Sequence, residues 1–242
     1  MDGQRKITMN YHYIDWRLAV QIPGDFILML SGVPCVGKTT TAYNILKYQP
    51  EFRLVSELDI IRTIVRATIR NIENCQYVNK EMLQDQYAAL FYSLSESNLS
   101  DCKKQSTLLV PYVREIVARQ QRRNIPTIIE GLSIIPSTYF SNDKPIKGFE
   151  KNVFFINLFL SDEQEHIQRR YNRCKEREYQ DTEDQIKEQV INIRNSKNCE
   201  LHEETLELSK ATKNVASFDV SNMDQDSVVK KILSILGNYI NC

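Results

Sequence analysis

Residues 26–46 read FILMLSGVPCVGKTTTAYNIL. An apolar run, Phe26–Leu30, passes through a short glycine-bearing bend into a stretch of helix-forming residues. The bend carries G-x-x-x-x-G-K-T as Gly32, Gly37, Lys38 and Thr39. It thus sits between an apolar strand and a helical pattern, as phosphate binding by such a loop requires. Backbone N–H groups of such a bend can curl round a phosphate while the following helix points its positive end at the same anion. Gly37 permits the close approach, Lys38 reaches β- and γ-phosphate oxygens, Thr39 offers a hydroxyl to Mg²⁺, and Thr40 is a supporting hydroxyl. The nucleotide cradle is therefore expected over Gly32, Val33, Pro34, Cys35, Val36, Gly37, Lys38, Thr39 and Thr40. Cys35 stands where glycine is frequent in such loops; its simplest reading is a small residue that fits.

Outward from this stretch, short apolar runs alternate with long polar, periodic ones, the pattern of an α/β fold whose parallel sheet is covered on both faces. Five strands are expected, at Phe26–Ser31, Phe52–Ser56, Pro126–Glu130, Val153–Leu160 and Val215–Val220. Helices are expected at Lys38–Lys47, Asp59–Asn71, Lys80–Ser97, Thr107–Arg123, Glu163–Glu178, Gln185–Lys210 and Asp226–Tyr239. The polar segment Ser137–Lys151, with its Pro and Gly, reads as a surface loop. Residues 1–25 lack a clear period, and Tyr11, Tyr13 and Trp16 suit an arm packed on the core; residues 26–242 then form the main domain.

Charge and cysteines narrow the function classes. The 31 Lys and Arg balance 31 Asp and Glu, so no bulk field draws the chain to nucleic acid or anionic lipid, and neither is the expected partner. No apolar run approaches the ~20 residues that span a bilayer, and the N-terminus lacks an export signal's apolar core; a cytoplasmic protein is expected. The six cysteines are scattered without C-x-x-C or zinc-ligand spacing and read as reduced thiols.

Three further stretches carry candidate chemistry. In LVSELDIIRTIVRATIR, residues 54–70, Asp59 stands where a strand gives way to a helix, the edge at which open α/β sheets bind ligands. Arg62 and Arg66 share one face of that helix. Asp59 can orient or deprotonate an acceptor hydroxyl and the arginines can clamp an anionic substrate, although Asp59 equally suits a helix cap. In IPTIIEGLSIIP, residues 125–136, Glu130 ends a strand as a second metal or substrate ligand, and Gly131 lets the chain turn beside it. In SDEQEHIQRRYNRCKERE, residues 161–178, Arg169, Arg173 and Arg177 recur every fourth residue, a row able to close over phosphates as a lid around 161–180. His166 on the same helix, like His12 and His202, is assigned no chemistry.

Taken in order, GVPCVGKTT, SELDIIRTIVR, IIEGLSIIP and LSDEQEHIQRR, with INIRNSKN from Ile191, resemble the 2-phosphoglycerate kinase family of P-loop kinases from about Phe26 to Leu236. The resemblance implies a P-loop NTPase, kinase-type, five-stranded parallel sheet in the order 2-3-1-4-5 flanked by helices, with ATP and Mg²⁺ as donor pair. By position, Asp59 and Arg62 match the family's acid-and-arginine stretch, Glu130 and Gly131 its third-strand end, and Arg194 an arginine before the last strand. Glu57-Leu58, Cys35 and the segment 137–151 depart from the family's pattern. The expected activity is ATP-dependent phosphorylation of a small, hydroxyl-bearing, anionic acceptor by Lys38, Asp59, Arg169 and Arg173, with Thr39 and Glu130 at the metal. Substrate binding falls to Asp59, Arg62, Arg66, Glu130 and Gly131, and a homodimer is compatible. The alternatives are a nucleotide, antibiotic or polynucleotide-end kinase and a nucleotide-dependent regulatory switch.

Overall fold

The computed structural model describes residues 20–73, 86–93 and 97–241. The aromatic cluster of residues 11–16, half of the helix expected over 80–97, and Cys75 and Cys242 lie outside the described residues; in the described half the helical path ends in a 3₁₀ turn, Ala88–Phe91, with Tyr92 extended. Counting strands of the main sheet only, β1 is Ile27–Ser31, β2 Leu54–Glu57, β3 Thr127–Glu130, β4 Val153–Phe159 and β5 Val215–Asp219. They pair in parallel throughout, in the order β2-β3-β1-β4-β5. The helices are α1 Lys38–Tyr48, α2 Leu58–Glu73, α3 Leu99–Arg122, α4 Glu163–Glu176, α5 Glu183–Ile193, α6 Cys199–Ala211 and α7 Gln225–Ile240.

β1 sits in the middle of the sheet because its sequence can be dry on both sides. Leu28 and Leu30 join an apolar cluster with Ala42, Ile45, Val228 and Ile232, whereas Ile27 and Met29 join another with Leu58, Val65, Leu109 and Val113. Successive side chains of a strand point to opposite faces, so one apolar run feeds two cores. Parallel register then sets Leu30 opposite Glu130 and Ser31 opposite Asn157. The C-terminal ends of β1, β3 and β4 thus share one edge.

Three elements differ from the sequence expectation. α3 begins at Leu99, eight residues earlier than its period suggested, because Asn98 caps it through Asp101 N (2.9 Å) and the helix runs through Pro111. The helix expected over 185–210 is broken into α5 and α6 by a π-helical turn, Arg194–Asn198. That turn lets Arg194 Nη1 (2.9 Å) and Asn198 Nδ2 (3.0 Å) both donate to Leu160 O, tying the C-terminal end of β4. The polar segment 137–151 is anchored rather than superficial: Tyr139 and Phe149 are fully buried, edge to face at 4.9 Å, beside a short hairpin pairing Phe140–Ser141 with Lys144–Pro145. Polar spacing hid two ring anchors.

Gly131 follows β3 where the chain passes close to α2, and a Cβ there would stand 2.7 Å from Leu58 Cβ. We expect Gly131→Ala to lower stability by about 1–3 kcal/mol through overpacking. Urea denaturation checks it; an unchanged midpoint would show that α2 yields freely.

Candidate active site

The bend after β1 meets the steric demands of wrapping an anion. Gly37 adopts φ 99°, the left-handed region, at the N-terminus of α1. A Cβ there would lie 3.3 Å from Gln225 Nε2 and 3.8 Å from Arg169 Nη1, so the absent side chain also makes room for two donors. Cys35 takes φ 68°, which explains why glycine is frequent at that position. Its thiol is partly exposed, and Cys102, Cys174 and Cys199 are likewise unbridged.

Below the bend, Lys38 is buried and donates to Val33 O at 3.1 Å. Burial holds its ammonium below the usual lysine range, opposed by the fields of Glu130 and Asp59. Thr39 Oγ1 donates to Glu130 Oε1 at 2.7 Å. Burial raises the Glu130 carboxyl, opposed by Lys38 and the Thr39 hydrogen bond; Glu57 and Asp59 push it further up. Asp59 lies inside the first turn of α2, so it is not the residue preceding the helix; its exposed carboxylate is within the field of both Lys38 and Glu130. Residues from β1's bend, β3 and α2 therefore lie within one another's fields as a single cluster.

The arginines divide by contact. Arg169 is held by Glu165 Oε1 (2.6 and 3.0 Å), Val36 O (3.0 Å) and Val220 O (3.4 Å), which brings α4 against the phosphate loop. Arg173, one turn on, lies within the field of Lys38. Arg62 Nη1 donates to Gln105 Oε1 at 3.1 Å, and the same oxygen accepts from Ser133 at 3.3 Å. Arg66 Nε donates to Leu90 O at 2.5 Å, and its guanidinium lies 5.3 Å over Phe91, as does that of Arg70. Arg194 serves the end of β4, through Leu160 and Ser161 carbonyls. His166 is fully buried with Nε2 at 2.9 Å from Pro34 O, a loop contact that sequence reading missed. Gln105, equally buried, was missed too; nothing in local sequence marks either.

Mg²⁺ is the metal that the family resemblance implies. Among the described residues no cluster of three or more His, Cys, Asp or Glu side chains forms a metal cage. The ion keeps water and phosphate ligands and needs only one or two protein oxygens. Thr39 Oγ1 beside Glu130 Oε1 fits that requirement.

The strand order, the glycine-lysine-threonine bend after β1 and the acid at the end of β3 define a P-loop fold of the kinase type. Over 174 residues the chain is 23% identical to the 2-phosphoglycerate kinase of Methanothermobacter thermautotrophicus, a match covering 68% of this chain and 52% of the relative. The chain thus spans about half the length of the curated relative it matches. Among solved structures it superposes on a gluconokinase from Sinorhizobium meliloti 1021 (TM-score 0.46, 12% identity, 88% and 93% of the two chains). A shikimate kinase from Acinetobacter baumannii in complex with shikimate gives TM-score 0.44 and 14% identity, over 90% and 95% of the chains. No protein-family model matches the chain. No helix among the described residues is long and apolar enough to cross a membrane.

Glu130→Gln mimics the neutral carboxyl that burial favours. A raised carboxyl pKa contributes stability below the unfolded value and loses it as pH rises through the folded one. The variant is expected to melt higher than wild type at pH 8, with the gap shrinking at pH 4, while Mg²⁺-dependent activity falls. Calorimetric melting at both pH values checks the sign.

Proposed function

We propose that this protein is an ATP-dependent kinase that transfers the γ-phosphoryl group to a hydroxyl on a small anionic metabolite, 2-phosphoglycerate or a close analogue. The observation that carries the reading is the convergence of Lys38, the Thr39–Glu130 pair and Asp59 at one sheet edge. A loop amide cradle alone serves any nucleotide triphosphatase; an additional carboxylate beside it supports a positioned acceptor. The match to 2-phosphoglycerate kinase supports the acceptor class, and Arg62, cross-braced by Gln105, supplies a cation for its anionic group.

In this mechanism the loop N–H groups and Lys38 bind the polyphosphate, and Lys38 leaves Val33 O to follow the moving charge. Mg²⁺, when bound, supplies charge neutralisation at the phosphates from the Thr39–Glu130 side. Asp59 orients the acceptor hydroxyl and takes up its proton, and Arg173 adds positive potential beside Lys38. Charge stabilisation of this kind does more than proton transfer when little covalent chemistry falls to the protein.

Two substitutions separate these roles. Lys38→Met should cut turnover at least about a hundredfold while the protein stays folded, since burial already disfavours the ammonium. Asp59→Asn should lower kcat by about 10²–10⁴ and leave KM for ATP nearly unchanged. Coupled ADP release measured with 2-phosphoglycerate, other hydroxy acids, nucleoside monophosphates and 5′-hydroxyl oligonucleotides names the acceptor. Turnover of nucleotides or polynucleotide ends alone would overturn the metabolite reading, and full activity in Asp59→Asn would remove the base.

A further inference from the structure

The bend that cradles a phosphate turns its N–H groups inward, so its carbonyls face out and need other partners. Two of them are met from α4: Pro34 O by His166 Nε2 at 2.9 Å and Val36 O by Arg169 Nη1 at 3.0 Å. These carbonyls flank Cys35, a non-glycine residue at φ 68°. A left-handed L-residue costs roughly 1–2 kcal/mol and persists only where its surroundings hold it. We infer that His166 is a positioning residue of the nucleotide site: its Nε2–H, donated to Pro34 O, holds the arch of the loop in the anion-binding curve, with Arg169 bracing the far side of Cys35. This inference rests on the nucleotide-binding reading of the loop.

Three observations favour this role over simple packing. His166 is fully buried, yet its polar edge is spent on a carbonyl 132 residues away in the chain. Because a carbonyl only accepts, the proton must sit on Nε2, which leaves Nδ1 bare. Nδ1 is buried without a hydrogen-bond partner, a cost that a packing residue such as Met or Leu would not carry. Burial, with the fields of Arg194, Arg169 and Lys38, also holds the imidazole neutral down to about 4, opposed by the Pro34 carbonyl. The contact is therefore a steady brace, unaffected by ordinary changes of pH.

His166→Gln keeps an N–H of similar reach, and His166→Met keeps the volume without a donor. In the full chain, ATP binding by titration calorimetry should weaken about tenfold or more in His166→Met, equal to 1.4 kcal/mol, with KM for the acceptor held. His166→Gln should stay within about threefold of wild type. Two-bond ¹H–¹⁵N correlations of wild type should show a protonated Nε2 and bare Nδ1 at pH 7. Wild-type affinity in His166→Met, a loss of equal size in His166→Gln, or an Nδ1–H tautomer overturns the inference while leaving the kinase reading in place. Failure of wild type to bind ATP overturns both. Should His166→Met not fold, the glutamine variant and the tautomer still decide.

Discussion

The parallel pairing of β1 between β3 and β4 is the constraint from which the rest follows. Five buried residues, Ile27–Ser31, are dry on both faces and hydrogen-bonded on both edges. Each buried aliphatic side chain contributes about 1.5–3 kcal/mol, so β1 cannot shift without giving up two cores. Its register delivers the bend at residue 32 to a fixed height beside Glu130 and Asn157. Without that height, Thr39 and Glu130 would not meet.

Charge is tolerated at this edge because it is shared. Lys38 and Glu130 are each disfavoured by burial, and each partly compensates the other. Losing one partner removes that compensation, and the other then moves toward its neutral form rather than remain buried and charged. The cluster is consequently a stability liability held by the apolar cores beneath it. A bound polyphosphate would give Lys38 a stronger partner than Val33 O.

The loop, the five strands and Glu130 were legible because each is written locally: glycines at fixed spacing, short runs of β-branched and aromatic residues, an acid ending an apolar run. The strand order came with the family resemblance, and the pairing follows it. What stayed hidden depends on distant contacts. His166 resembles any helical histidine until Pro34 is beside it, and Gln105 reads as a helical glutamine facing water until Arg62 and Ser133 converge on it. Arg66 shows the same limit from the other side. Its spacing with Arg62 is correct, yet its guanidinium is engaged by Leu90 O and Phe91. Periodicity tells which face a residue occupies and not which partner waits there. The π turn at 194–198 was illegible for a related reason, since Arg194 and Asn198 gain from it only once Leu160 O is in reach.

The contacts of α4 bear on how such a helix can act. A lid that swings freely offers its arginines only on closure, whereas Arg169 here is already committed to Glu165, Val36 O and Val220 O. Glu165 extends the connection by accepting from Asn222 N at 2.8 Å, which links α4 to the loop after β5. Glu165, His166 and Arg169 thus bind the phosphate loop and the chain after β5, and Glu165 and Arg169 bind each other. Pulling them apart would take these partners from the carbonyls of Pro34 and Val36, at about 1–3 kcal/mol for each one left buried and unpaired. The later turns are held too, by a different neighbour: Arg170 Nη2 donates to Gln189 Oε1 at 2.8 Å and pairs with Asp181 at 3.5 Å, and Cys174 is buried beside Asp181. A division of labour within one helix follows, with its first turns shaping the cradle and its later ones seated against α5 and the chain that leads into it.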